Sequence, residues 1–282
     1  MQLQQYRQNC FEQSGYLAAT PTQAPLQVGD FAQVEQGEVK VLGNLRGVNF
    51  PNEIIVAETL ISPKQIPWVL MQGVDHQQKL QQSDRLSGEH SNLTNWQKHS
   101  YQFKNPQSYI FHGKEGLCER IANWHEISDE VTLRLTQSQY SFRHVMVITD
   151  ILKFTQWGLA IAATNHGQLD LAIQQDNQVS SFDTHMALSH QQSITQNSRN
   201  MYFVGAGDAE QHLFYRAKML TLSAKLQDQT RNSIMENQQL TPTMRANWLT
   251  GDLINLLSAN SISINNCMDS FTWADVTPDN IG

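Results

Sequence analysis

The sequence predicts an α+β fold: a central twisted, mostly antiparallel β-sheet with peripheral helices and a C-terminal helical segment. Three patterns predict it. Val131, Leu133 and Leu135 alternate with Thr132, Arg134 and Thr136, the two-residue period of a half-buried strand. Trp157, Leu159, Ile161 and Ala163 alternate too, as do Leu169, Leu171 and Ile173, and Asn165-His166-Gly167 between them has the chemistry of a hairpin turn. Finally, Thr241-Pro242 is a helix start, with Leu249, Leu253, Leu256 and Leu257 at i, i+4, i+7 and i+8 behind it. An amphipathic helix is expected over 242–259.

Along the chain, residues 2–13 form a short helix with Leu3, Tyr6 and Cys10 on one side, ended by Gly15. Glycines at 29, 37 and 43 divide Leu26–Leu45 into short strands, and Glu53–Leu60 and Ile66–Gln72 are further strands. Residues 73–107 are polar and predict a long irregular excursion, with a short strand near Tyr101 and Phe103. A helical patch places Leu117, Ile121 and Trp124 at helix spacing. Phe142–Leu152, with Val145-Met146-Val147-Ile148, suits a central strand buried on both faces. Met201–Val204 and His212–Leu222 are two more strands around a Gly205-Ala206-Gly207-Asp208 turn, and a polar tail holds Phe271 and Trp273. The organisation expected is one domain, a β-rich body over 1–239 with the helical segment 240–282 packed on it.

At 282 residues with 40% hydrophobic side chains, the chain can bury a substantial core. Only 16% of it is charged, well under the usual quarter, so the polar surface rests on Gln and Asn, as in Gln77-Gln78 and Gln191-Gln192. A net charge of −7 and a pI near 5.8 argue against a nucleic-acid partner, because nothing clusters Lys and Arg to neutralise phosphates. The three cysteines, Cys10, Cys118 and Cys267, are neither a disulfide framework nor a zinc spacing and suit a reducing compartment. The first twelve residues lack the apolar stretch of a signal peptide, and no run of about 18 apolar residues exists. A cytoplasmic, soluble resting state is the expectation.

No motif in the chain carries catalysis. Gly205-Ala206-Gly207 lacks the third glycine of a dinucleotide fingerprint, and Asp208 and Glu210 would repel a pyrophosphate. His185 and His190, or His112 and Cys118, do not have metal-ligand spacing, so neither a metal nor another cofactor is expected. Asp75-His76 and Asp183 with His185 have no G-x-S-x-G nucleophile to serve. A non-enzymatic protein is expected. The stretch Trp157–Ile173 is either half-buried sheet or a hairpin able to line up in a membrane barrel, since lipid-spanning strands use the same alternation. Cys10 is either an ordinary thiol or an accessible site for a fatty acyl chain. Leu249, Leu253, Leu256 and Leu257 either belong to the core or form a removable clasp.

Three segments together resemble the bacterial gasdermins. Gly15-Tyr16, Pro21, Ala24-Pro25-Leu26-Gln27-Val28 and Val41-Leu42-Gly43-Asn44-Leu45 are similar to that family's opening. Val145-Met146-Val147-Ile148-Thr149-Asp150-Ile151-Leu152 resembles its strand ending in a V-T-E-V-L stretch, with Asp150 where the family has Glu. Leu213-Phe214-Tyr215-Arg216-Ala217-Lys218-Met219-Leu220 resembles its L-x-F-x-x-x-x-L strand. The resemblance implies a body held inactive by its C-terminal segment and freed by a partner protease. The freed bodies would then oligomerise into a β-barrel in membrane lipid. The other expectation is an accessory or scaffold protein that binds a partner in a bacterial defence or chaperone complex.

Overall fold

The computed structural model describes residues 3–21, 24–35, 38–49, 52–61, 68–83, 94–137, 145–174, 194–207, 211–224, 228 and 271–281. Their elements, in chain order, are α1 (Gln4–Ser14), β1 (Leu17–Ala18), β2 (Asp30–Glu35), β3 (Glu38–Asn44), β4 (Val56–Leu60) and β5 (Trp68–Gln72). Then come β6 (Val74–Ser83), β7 (Thr94–Phe103), β8 (Tyr109–Ile121), α2 (Trp124–Gln137), β9 (Val145–Ala162) and β10 (Gly167–Gln174). The chain continues with β11 (Ile194–Arg199), β12 (Met201–Gly207), β13 (Gln211–Leu222) and β14 (Phe271–Asp275). The fold is α+β and every strand pairing among the described residues is antiparallel.

The apolar run at Val145 does become the central strand, and it runs on for 18 residues. Strand β9 has β8 and β2 along one side and β13 and β12 along the other. Its side chains reach all three apolar clusters: Val145–Ile148 in the first, Leu152, Phe154 and Leu159 in the second, Ala160 and Ala162 in the third. In the second, Trp68 stacks on Phe154 at 5.3 Å and meets Phe214 edge-on at 5.2 Å. Such aromatic pairs add about 0.5–1.5 kcal/mol each to the burial of their area. Helix α1 ends as its sequence requires, at Gly15 in the left-handed conformation (φ 71°), and turns Leu3, Tyr6 and Cys10 into the core.

Several local expectations are corrected. The stretch Val131–Leu135 is helix, not strand. Ile127, Val131 and Leu135 recur every four residues and are all buried, a helical stripe that outweighs the shorter alternation read from Val131 onward. Leu117 and Ile121 lie on strand β8, paired to β4 and β9, and only Trp124 opens a helix. The polar region 73–107 holds the two ten-residue strands β6 and β7, paired from Val74↔Phe103 to Ser83↔Thr94. Its Gln-rich alternation hid them, because one face stays polar. Gly205 to Gly207 continue strand β12 rather than turning. The expected helix over 242–259, with Leu249, Leu253, Leu256 and Leu257, lies outside the described residues. The tail itself is built into the fold: β14 pairs with β13 from Lys218↔Asp275 to Leu222↔Phe271.

Candidate functional site

The expected hairpin Trp157–Ile173 is the most informative correction. Strand β9 is already flanked by β8 and β12 at residues 157–162, so it has no free side for β10. Strand β10 pairs instead with β7 and β11 in a second, four-stranded sheet of order β11-β10-β7-β6. The turn read from Asn165-His166-Gly167 exists, with His166 at φ 59°, but it is a corner between two sheets. Ile173 faces Gln97 on one side and Ile194 on the other in the strand register.

The same corner occurs four times. Strands β5, β8, β9 and β12 lie side by side in the main sheet in that order. They continue through short connections into β6, β7, β10 and β11, which lie side by side in the same order. Each connection carries one residue of positive φ: Gly73 (65°), Gln107 (60°), His166 (59°) and Asn200 (55°). Left-handed conformations cost an L-residue roughly 1–2 kcal/mol, so a row of them marks a line on which the sheet is bent against its preference. At Gly73 the cause is also steric, since a Cβ there would strike Ser108 Oγ. Backbone bonds stitch the line together: Lys104 N–H to Gly73 O at 2.9 Å, Gln107 N–H to Ala162 O at 2.9 Å and Ala163 N–H to Asn200 O at 2.8 Å.

The second sheet is two-faced. Val74, Tyr101, Phe103, Leu169 and Leu171 point inward and pack on Ile110, Ala160 and Ala162 of the main sheet. On the outer face, Asp75 pairs with Lys104 at 2.9 Å and Asp170 with Lys98 at 3.1 Å, among Gln77, Lys79 and Gln102. Although Asp170 lies on this outer face, its side chain is only 12% exposed. Burial pushes its carboxyl up, but hydrogen bonds from Ser100, Lys98 and Gln168 outweigh that and hold it below its ordinary value.

Histidines interrupt the inner face, and sequence spacing gave no sign of them as a group. His76 Nε2 and His99 Nδ1 are 2.9 Å apart in one hydrogen bond, and the His76 ring stacks on Tyr101 at 4.7 Å. His76 is exposed at the rim, His99 is fully buried behind it, and His112 is buried on β8. Burial, with the nearby His76 second, pushes both His99 and His112 down to about 4. Among the described residues no group of three or more His, Cys, Asp or Glu has metal-holding geometry.

Helix α1 straps the bend. The Gln107 side chain, at the fold line, accepts from Tyr6 N–H at 3.1 Å, and Gln13 donates to Met71 O at 3.3 Å. Cys10, which the sequence left as either an ordinary thiol or an accessible acylation site, is fully buried against Tyr6 and Tyr109, whose rings meet edge-on at 5.0 Å. Burial pushes its thiol up to about 12, so no nucleophilic thiolate forms at neutral pH. A thiol reagent should leave Cys10 of the native chain unmodified and label it once denaturant is added, read by mass spectrometry of the peptide. Rapid native labelling would contradict this burial.

Among the described residues no helix is long and apolar enough to cross a membrane, which leaves crossing by strands unaddressed. No protein-family model matches the chain, and no curated protein matches it at a significant level.

Proposed function

We propose that this is a pore-forming protein, of the kind its resemblance to the bacterial gasdermins implies. A protease frees it from inhibition by its C-terminal segment, and copies of it then open a membrane in bacterial defence. One observation supports this reading above the others. Four strands of the main sheet cross one fold line in an unchanged lateral order into a sheet with one face of apolar side chains interrupted by histidines and one polar face. Straightening the line would turn them into four long neighbouring strands, with Leu169, Leu171, Tyr101 and Phe103 available to lipid. Lys98, Lys79 and Asp170 would then face water. A membrane-spanning strand needs about 9–11 residues, and β6 and β7 have 10 each. Only a closed barrel satisfies every backbone group in hydrocarbon, so the edges at β6 and β11, unpaired among the described residues, would be completed by further copies of the chain.

The test is release of an encapsulated dye from phospholipid vesicles, before and after limited proteolysis within 225–270. Leakage should follow cleavage and be absent from the intact chain. Cleaved protein that stays folded and binds vesicles without any leakage would count against pore formation and leave the scaffold expectation standing.

A further inference from the structure

Helix α1 lacks a cap from its own sequence. The first turn of any helix leaves N–H groups with no partner inside it, and Leu3, at the capping position, has no side-chain oxygen to offer them. The acceptor comes from 101 residues further along, where Gln107 Oε1 takes the Tyr6 N–H at 3.1 Å. Gln107 is one of the four residues on the fold line, held at φ 60° with its own N–H on Ala162 O at the end of β9. An acceptor so remote in sequence reaches the helix only while the corner keeps its shape. The corner therefore caps the helix, and the helix holds the corner. Two turns on, Gln13 ties α1 to the neighbouring corner, donating to Met71 O at 3.3 Å and to Gln72 Oε1 at 3.2 Å, just before Gly73.

The same helix meets the C-terminal tail. Leu3, Tyr6 and Cys10, at i, i+3 and i+7, pack in the second apolar cluster with Leu70 of β5 and Tyr109 of β8, close to the two corners. Phe11 packs instead against the first cluster, which holds Val276 and Ile281, and α1 lies beside the single 3-10 turn Pro278–Asn280. That turn is fixed from within, since Thr277 N–H and Oγ1 donate to Asn280 Oδ1 at 2.8 and 3.0 Å. Ile281 is thus delivered to the core on a preformed turn. The end of α1 is tied to β13, the strand that pairs with β14: Arg216 Nε donates to Gly15 O at 2.9 Å, and its guanidinium lies over the Tyr16 ring at 4.1 Å.

We propose that α1 is a two-ended strap that couples the seating of the C-terminal tail to the bend between the sheets. With Val276 and Ile281 in place, α1 is held on β5 and β8 where Gln107 can cap it. The capped helix in turn keeps Gln107 and the corner before Gly73 in their bent conformation. Withdrawing the tail takes Val276 and Ile281 out of the cluster on which Phe11 packs, and so loosens α1 and the corners. Losing the cap at the other end loosens the tail by the same factor, because a coupling between two sites is reciprocal. The coupling does not depend on a membrane; its use as the link between cleavage and barrel formation rests on the pore-forming reading.

Hydrogen–deuterium exchange on the full chain reads both ends of the strap. In Ile281→Ala the amides of α1 and of residues 104–109 should lose on the order of tenfold protection along with those of β14. Val131→Ala, at a fully buried position of the same cluster on α2, is the control and should leave α1 as in the parent. Gln107→Asn works from the other end. Asparagine tolerates the left-handed conformation but is one methylene short of the Tyr6 N–H, so α1 and then β14 should lose protection by roughly threefold to tenfold. In the double variant the losses in α1 should fall short of the product of the two single losses. Loss confined to β14 in Ile281→Ala, equal loss in α1 for Ile281→Ala and Val131→Ala, or losses that simply multiply would each overturn the strap. If Ile281→Ala does not fold, Gln107→Asn decides: loss of β14 protection supports the coupling and unchanged β14 overturns it. Vesicles of mixed zwitterionic and anionic phospholipid separate the two readings, since coupled ends in a chain whose cleaved form never releases dye keep the strap and remove the pore.

Discussion

Gly73→Val should loosen the second sheet and leave the main sheet intact. Gly73 holds φ 65° between β5 and β6, and any Cβ there runs into Ser108 Oγ. Valine adds the cost of a left-handed L-residue, about 1–2 kcal/mol, and a branched Cβ raises it further. The extended conformation that valine prefers is the one a straightened β5–β6 strand would use. The substitution thus penalises the folded-over arrangement by about 2–4 kcal/mol while costing the straight one nothing comparable. Protection of β6 and β7 should fall by on the order of a hundredfold, and under the pore-forming proposal the cleaved variant should open vesicles faster than the cleaved parent. His166→Gly is the opposite case, because an exposed residue at φ 59° is relieved of strain by losing its Cβ. Its gain is at most about 1 kcal/mol, offset in part by the freer unfolded chain, and leakage should be slower or unchanged. Equal protection of β6 and β7 in Gly73→Val and parent would show that the line is not a hinge.

The fold line explains which parts of the molecule were legible in the sequence. In the main sheet, the strand expected from Val145-Met146-Val147-Ile148 and the one expected at His212–Leu222 stand where the sequence put them. The second sheet faces water on one side and a crease containing histidines on the other. Its strands therefore show polar alternation, which reads as loop in 73–107. The turn at Asn165-His166-Gly167 was found, but sequence alone cannot tell a hairpin from a corner, because the difference lies in which neighbours already occupy β9. Val131–Leu135 failed for another reason: three alternating residues also fit a helical stripe, and the deciding partners Trp124 and Ile127 lie upstream. The histidine pair was out of reach, since His76 and His99 meet only through the β6–β7 register, 23 residues apart in sequence.

The largest effect is expected from loss of the C-terminal strand. Strand β14 completes the β13 edge, and Trp273 meets Trp124 of α2 edge-on at 5.0 Å. Its Nε1 donates to Thr132 Oγ1 at 3.0 Å and to Ser128 O at 3.3 Å, while Val276 and Ile281 are buried in the first apolar cluster. Each such side chain contributes about 1.5–3 kcal/mol of burial, against about 1–2 kcal/mol per residue for ordering the backbone. Those terms nearly cancel for a short strand. The strand therefore stays docked chiefly because the chain delivers it, and a cut within 225–270 turns an intramolecular contact into a diluting one. Trp273→Ala removes the largest of these contacts, and a loss of about 3 kcal/mol would weaken fragment retention after cleavage by on the order of a hundredfold. Under the pore-forming proposal, a chain ending at Gln239 should be toxic when expressed and should release dye from vesicles, and cleaved Trp273→Ala should leak sooner than cleaved parent. If β14 serves only as core, the same chain exposes Trp124 and the β13 edge and becomes insoluble or inert. A shortened chain that stays folded and leaves vesicles sealed, after its C-terminal fragment is shown to be gone, removes the C-terminal segment as the restraint on a pore.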